Sequence, residues 1–116
     1  MIRAKVDKNQ PELVKFFREL GFLVSHRHGC HKGVPDLEIG FGGYIIPVEI
    51  KDPEKPPSAR KLTPDQIKYF DEWYDFPILV ILTKFQILSL KNFILEKPLV
   101  HELLEYCRNE NKSTGY

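Results

Sequence analysis

Long apolar runs are missing from this 116-residue sequence. The longest, "FPILVIL", falls far short of the ~20 residues needed to cross a bilayer. The opening "MIRAKVDKNQ" lacks the apolar stretch of a secretory signal. Cysteine is scarce: Cys30 and Cys107 are too few and too far apart for a disulfide framework, which points to a reducing, intracellular setting, the cytoplasm. Charge of one sign is not in excess either. The 17 Lys and Arg against 16 Asp and Glu leave a net charge of +1, so any basic surface for an anionic partner must be local. There are no internal repeats and no linker long enough to divide the chain. With 42% apolar and 28% charged residues, the composition is that of one soluble globular domain with a single core.

What is present reads as alternating helices and strands. "NQPELVKFFREL" carries Leu13, Phe16, Phe17 and Leu20 at helical spacing, with Pro11 in the first turn and Gly21 as a stop. "FLVSHR" is a short strand and "HGCHKGVP" a loop. "DLEIG" and "YIIPVEIK" are the arms of a hairpin turned at "FGG". "DPEKPPSARKL" is an extended, basic, proline-rich loop. "TPDQIKYFDEW" is a helix with Thr63 as N-cap and Pro64 in the first position; its Gln66, Tyr69, Phe70 and Trp73 share one face, with the aromatics expected in the core. "PILVILT" is an apolar strand, "FQILSL" is read as another, "KPLVHELLEYCRNE" is a closing helix and "NKSTGY" a frayed tail. The order predicts one α/β domain over residues 1–116, a mixed sheet flanked by helices. Its core spans about 7–83, with a C-terminal strand and helix at about 85–110.

One short stretch does not fit a purely structural strand. "VEIK" sets Glu49 and Lys51 on the same face of an otherwise apolar segment. With the hairpin turned over Gly40 to Gly43, Asp36 falls opposite Pro47 and one diagonal step, about 7–8 Å, from Glu49. Two half-buried carboxylates at that spacing repel, and one has its pKa raised. A hard divalent cation such as Mg²⁺ resolves the conflict, since it accepts one or two carboxylates plus water. An ammonium beside it can orient a metal-bound water or offset charge growing on a phosphate. The set suits hydrolysis of a phosphodiester by metal-activated water. No Ser, Tyr or His is placed as an activated nucleophile, so no covalent intermediate is implied.

"PD" followed by "EIK" across a hairpin resembles the P-D…(D/E)-x-K signature of the PD-(D/E)XK nuclease superfamily. More narrowly, "NQPE", "GVPDLEIG", "VEIKD", "KPPSARKLTPDQ" and the helix ending in Trp73 resemble small, stand-alone phage and bacterial members of the virus-type replication-repair nuclease family (VRR-NUC). The similarity runs from about Asp7 to Trp73, well over half the chain. The resemblance implies a restriction-endonuclease-like core and an Mg²⁺- or Mn²⁺-dependent DNA endonuclease of repair type. It implies that Asp36, Glu49 and the backbone carbonyl of Ile50 hold the metal, that Glu12 reaches it from the first helix, and that Lys51 and Gln66 complete the catalytic set. Family members of this size act as dimeric resolvases of four-way (Holliday) junctions, which implies a homodimer with branched DNA as its partner, in the host cytoplasm if the source is viral. The pattern departs at Pro47, where an apolar residue with an N–H is usual; proline belongs at a sheet edge or bulge, which predicts interrupted pairing there. The rival reading is a non-catalytic DNA-binding or scaffolding protein that kept the nuclease fold, against which the intact Asp36, Glu49 and Lys51 stand.

DNA contacts are expected from Lys55, Arg60 and Lys61 in the loop that leads from Lys51 to the Gln66 helix. Arg27, His28, His31 and Lys32 in the earlier loop are further candidates for phosphate. His26, His28, Cys30 and His31 would suit zinc by residue type, but no second ligand pair with zinc-finger spacing accompanies them. The apolar segment after Trp73, through "FQILSL" and "LVHELLEY", is the candidate dimer interface.

Overall fold

An antiparallel meander with one parallel strand added organises the chain, seen in a computed structural model that describes residues 6–27 and 32–116. His28 and His31, named above for phosphate contacts, and Cys30 lie outside these residues. Strands β1 (Leu23–His26), β2 (Leu37–Phe41) and β3 (Tyr44–Ile50) are antiparallel neighbours, and β4 (Leu79–Ile81) pairs parallel to β3, in the order β1-β2-β3-β4. Helix α1 (Gln10–Glu19) precedes the sheet, α2 (Pro64–Glu72) lies in the crossover from β3 to β4, and α3 (Lys84–Leu95) and α4 (Val100–Ser113) close the chain. This is the mixed sheet flanked by helices that the sequence predicts.

The two faces of the sheet differ. Alternation along β3 sends Ile46, Val48 and Ile50 to one side. There they join Leu37 and Ile39 of β2 and Leu79 and Ile81 of β4 under Leu13, Val14 and Phe17 of α1, Ile87, Leu90 and Ile94 of α3, and Leu103 and Cys107 of α4. Each such side chain, fully buried, contributes about 1.5–3 kcal/mol. Pro47 and Glu49 of β3 point to the other side, where α2 lies. No residue of α2 is buried, so Tyr69, Phe70 and Trp73 are half-exposed rather than core, with Tyr69 stacked on Trp73 at 5.3 Å.

Three sequence expectations are corrected. "FQILSL" is helix, not strand: Ile87, Leu90 and Ile94 face inward while Phe85, Leu88 and Leu95 stay exposed, and a helix apolar on all sides leaves no clear period to read. The C-terminal part is therefore two helices. The tail is ordered: α4 runs to Ser113 and the Tyr116 hydroxyl donates to the Arg60 carbonyl at 2.7 Å. The hairpin turns at Gly42 and Gly43, with φ of +60° and +88°, the left-handed geometry a two-residue turn needs. Leu37 consequently pairs with Val48 and Glu38 with Pro47.

Pro47 does not interrupt the ladder. The Lys51 N–H donates to Ile81 of β4, so odd-numbered residues of β3 aim their N–H toward β4. Pairing with β4 begins only at Val48 and Leu79, one position past Pro47, and its missing donor faces no partner strand. The outer side of β4 is closed by side chains. Asn111 of α4 accepts from the Val80 N–H at 3.0 Å and donates to the Ile78 carbonyl at 2.9 Å, and Gln86 of α3 donates to the Val80 carbonyl at 3.1 Å.

Candidate active site

The corrected register brings the two carboxylates closer than the sequence suggests. Continued one step beyond β2, it sets Asp36 directly across from Glu49. Asp36 is anchored by backbone: its Oδ2 accepts the Ile50 N–H at 2.8 Å, and its carbonyl accepts the Arg27 N–H at 2.8 Å. Glu49 is 3% exposed and Lys51 7% exposed, which is rare for charged residues unless they are partnered.

Gln66 supplies the partner for both. Its Nε2 donates to Glu49 Oε2 at 3.1 Å, and its Oε1 accepts from Lys51 Nζ at 2.9 Å. The same Oε1 accepts the Thr63 N–H at 2.9 Å, while the Gln66 N–H donates to Thr63 Oγ1 at 3.2 Å. This reciprocal cap fixes the start of α2 and thereby aims the amide at the strand. Lys51 Nζ also lies 3.7 Å from Glu49 Oε2. The loop before β2 holds α2 in place from the other side: Gly33 has φ of +80°, and a Cβ there would come within 2.3 Å of the Asp65 carbonyl oxygen. Only glycine permits that approach.

Glu49 Oε1 is enclosed and has no hydrogen-bond donor among the described residues. Burial pushes the Glu49 carboxyl up to about 9, with the charge of Asp36 and the hydrogen-bonding reach of its carboxyl adding to the rise, Lys51 opposing it, and Asp7 contributing more. Two facing carboxyls and an orphaned oxygen need either a shared proton or a cation between them. Asp36, Glu49 and a nearby backbone carbonyl make an all-oxygen donor set, which fits a hard divalent ion. Among the described residues no cluster of three or more His, Cys, Asp or Glu surrounds a point that could hold a metal, so such an ion would keep water among its ligands.

Glu12 does not join this site. Its side chain is 67% exposed and pairs with Lys84 of α3 at 2.8 Å; the Lys84 hydrogen bond and charge hold its pKa below the usual value. In its place the α1 end of the molecule brings Asp7, whose charge reaches Glu49, and Asn9, which sequence reasoning missed. Asn9 Nδ2 donates to the carbonyls of Lys51 at 3.1 Å and Leu82 at 3.2 Å, tying together the ends of β3 and β4. Because that amide is engaged there, Asn9 makes no side-chain cap to its own helix. The signal for Asn9 was its position immediately before "QPE"; nothing in the sequence singled out Asp7.

Of the expected DNA contacts, Lys55 forms an ion pair with Asp7 and Arg27 one with Glu38 at 2.7 Å. Lys32 and Lys61 are exposed, and Arg60 and Lys61 line a cleft beside the site. His26 is exposed on β1, apart from Glu49 and Lys51. Among the described residues no helix is long and apolar enough to cross a membrane. The chain matches no family model, and neither a curated protein nor a solved structure matches it.

Proposed function

We propose that this chain is a metal-dependent DNA endonuclease of the PD-(D/E)XK type, related to the VRR-NUC family, that hydrolyses phosphodiester bonds. The observation that carries the proposal is the Glu49 carboxyl: its Oε1 is buried with no donor among the described residues, in the field of the Asp36 carboxyl, while Gln66 and Lys51 lie at its Oε2. An oxygen orphaned beside a second carboxyl is what a cation-binding carboxylate leaves for its ion.

Asp36, Glu49 and the Ile50 carbonyl would hold Mg²⁺ or Mn²⁺, which when bound would supply a nucleophilic water at neutral pH and neutralise phosphate charge. The Ile50 N–H keeps Asp36 Oδ2 fixed, leaving the second oxygen for the cation. Gln66 orients Glu49 through one end of its amide and Lys51 through the other. Lys51 offsets the negative charge that grows on the phosphate. Its ammonium is already placed and largely desolvated, so little reorganisation is needed during the reaction.

A homodimer acting on four-way junctions extends the proposal. Phe85 and Leu88 of α3, with Leu95, Leu99 and Val100 at the turn into α4, are 42–77% exposed, an apolar surface suited to a second copy. A two-fold pair supplies the two symmetric nicks that resolving a junction takes. Supercoiled plasmid, flaps, forks and four-way junctions, incubated with Mg²⁺ and with EDTA, test the reading. Metal-dependent cutting that disappears in Asp36→Ala and Glu49→Ala is expected. Full activity in Glu49→Ala would overturn the site, and DNA binding without cutting at any divalent metal would overturn the activity in favour of a scaffold.

A further inference from the structure

Beside the catalytic set, but sharing none of its residues, a cleft of about 470 Å³ opens between the basic loop, α2 and the end of α4. Arg60 and Lys61 line one part of it, and Leu62, Ile67 and Tyr116 give it apolar walls. Among the described residues no Asp or Glu side chain lines it. Ile67 is 49% exposed although it directly follows Gln66, so the cleft begins one residue from the amide that holds Glu49 and Lys51. The Tyr116 ring is set in place by its hydroxyl, which donates to the Arg60 carbonyl at 2.7 Å. Burial raises the pKa of that hydroxyl, Arg60 opposes the rise, and the charges of Asp7 and Glu49 add to it. The ring therefore stands within electrostatic reach of the candidate catalytic carboxylate. Arg60 Nε is enclosed with no acceptor among the described residues, so contact with a phosphate falls to the terminal nitrogens of the guanidinium.

From this geometry we infer that the cleft holds one unpaired base of the DNA strand next to the scissile phosphate, with Arg60 and Lys61 on the flanking phosphates and the base against Tyr116 and Ile67. The assignment of the strand as DNA rests on the nuclease reading; the affinity for an unpaired base does not. Contacts to duplex backbone need cations alone, and they leave the exposed Ile67 and the half-buried Leu62 and Tyr116 without use. Bases stacked in a duplex hide the faces that such walls would bind, whereas a splayed base presents one. The volume lies within the range of small-ligand pockets. Charge complementarity favours an anionic strand over a peptide of mixed charge. For the proposed reaction, the consequence is a preference for sites where a base is already free, as at a junction, flap or gap.

The test is fluorescence anisotropy on the whole chain in EDTA, where no metal-dependent cutting occurs. The probes are labelled oligothymidylate of eight nucleotides and an abasic strand of the same length. Oligothymidylate is expected to bind about tenfold or more tightly, the scale of one base stacked on an aromatic ring. Tyr116→Ala and Ile67→Asn should each remove that preference and leave affinity for the abasic strand unchanged. Tyr116→Phe, which loses only the bond to Arg60, should keep it. Equal affinity for the two strands, weak binding of both, or an equal loss on both in Tyr116→Ala overturns the proposal. Because no metal is present, a base preference persisting in a protein that never cuts DNA would defeat the nuclease reading alone.

Discussion

Helices α2 and α3 begin with the same four-residue pattern, T-P-D-Q and T-K-F-Q, and put it to different use. In each, the glutamine folds back so that its Oε1 accepts the N–H of the threonine before the helix, at 2.9 Å in Gln66 and 3.2 Å in Gln86. The remainder of the amide then diverges. Gln86, 5% exposed, spends it on backbone, accepting the Leu82 N–H at 2.7 Å and donating to the Val80 carbonyl. Gln66 spends it on Glu49 and Lys51. The helices differ to match: α3 inserts Ile87, Leu90 and Ile94 into the core, and α2 buries nothing. A cap stabilises a helix start whichever way its spare donor points. Pointed at backbone it stabilises the fold; pointed at ionisable side chains it holds a reactive arrangement. α2 is thus retained at the site by polar contacts and the close approach of Gly33 rather than by core packing.

Among variants that keep the metal-binding carboxylates, the largest expected effect belongs to the charge that Gln66 holds and Gln86 does not. Lys51→Ala should slow cleavage about 10²–10³-fold while metal affinity, read by calorimetry, stays unchanged; a matching loss of metal binding would instead make Lys51 a support for the metal site. Next comes the direct exchange between the helices. Gln66→Ala should cost about 10–100-fold in rate, as removal of a group that orients a ligand does, with a smaller fall in urea midpoint than Gln86→Ala because the cap it removes is exposed. Gln86→Ala should leave the rate per folded molecule intact and cost about 1–3 kcal/mol of stability, because it orphans buried backbone groups. If both variants lose stability equally, the contrast between the helices fails.

Acidity sharpens the same contrast more gently. In the metal-free protein Glu49 keeps its proton to about 9, against an ordinary 4.5. Folding therefore takes up a proton between those values, so the contribution is full below about 4.5 and is lost as pH rises toward about 9. Thermal melts in EDTA should fall across that window and flatten in Glu49→Gln. Millimolar Mg²⁺ should restore stability at the alkaline end, since it binds only the folded site. A melting temperature that climbs from pH 5 to pH 9 in EDTA would contradict the burial of this carboxyl. The smallest effect belongs to Glu12: Glu12→Gln should change neither rate nor metal affinity, whereas Asp7→Asn should move the alkaline midpoint of Glu49 downward.

Much of this was legible in the sequence because the signals are local. The period of α1, the glycine hairpin, the Thr63 cap and the pairing of Glu49 with Lys51 on one strand face each depend on residues close in sequence. What escaped depends on distance along the chain. Asn9 acts on carbonyls 42 and 73 residues away, and Tyr116 meets a loop 56 residues earlier. Glu12 was read toward the metal from the family resemblance, yet the turn of α1 carries it to Lys84. α3 was read as strand because its outer face is as apolar as its inner one. That apolar outer face, with Phe85, Leu88 and Leu95, lies at the molecule's surface.

Closing the outer side of β4 with Asn111 and Gln86 has a consequence for assembly. Growth of a fibre by sheet extension requires two open edges per molecule, so that each copy can both receive a strand and offer one. Here two carboxamides occupy the hydrogen-bonding groups of one edge as a further strand would. Any strand-to-strand association must then use β1 alone, and two copies joined through β1 leave nothing for a third. The plug turns an open-ended polymerisation into one that terminates at two.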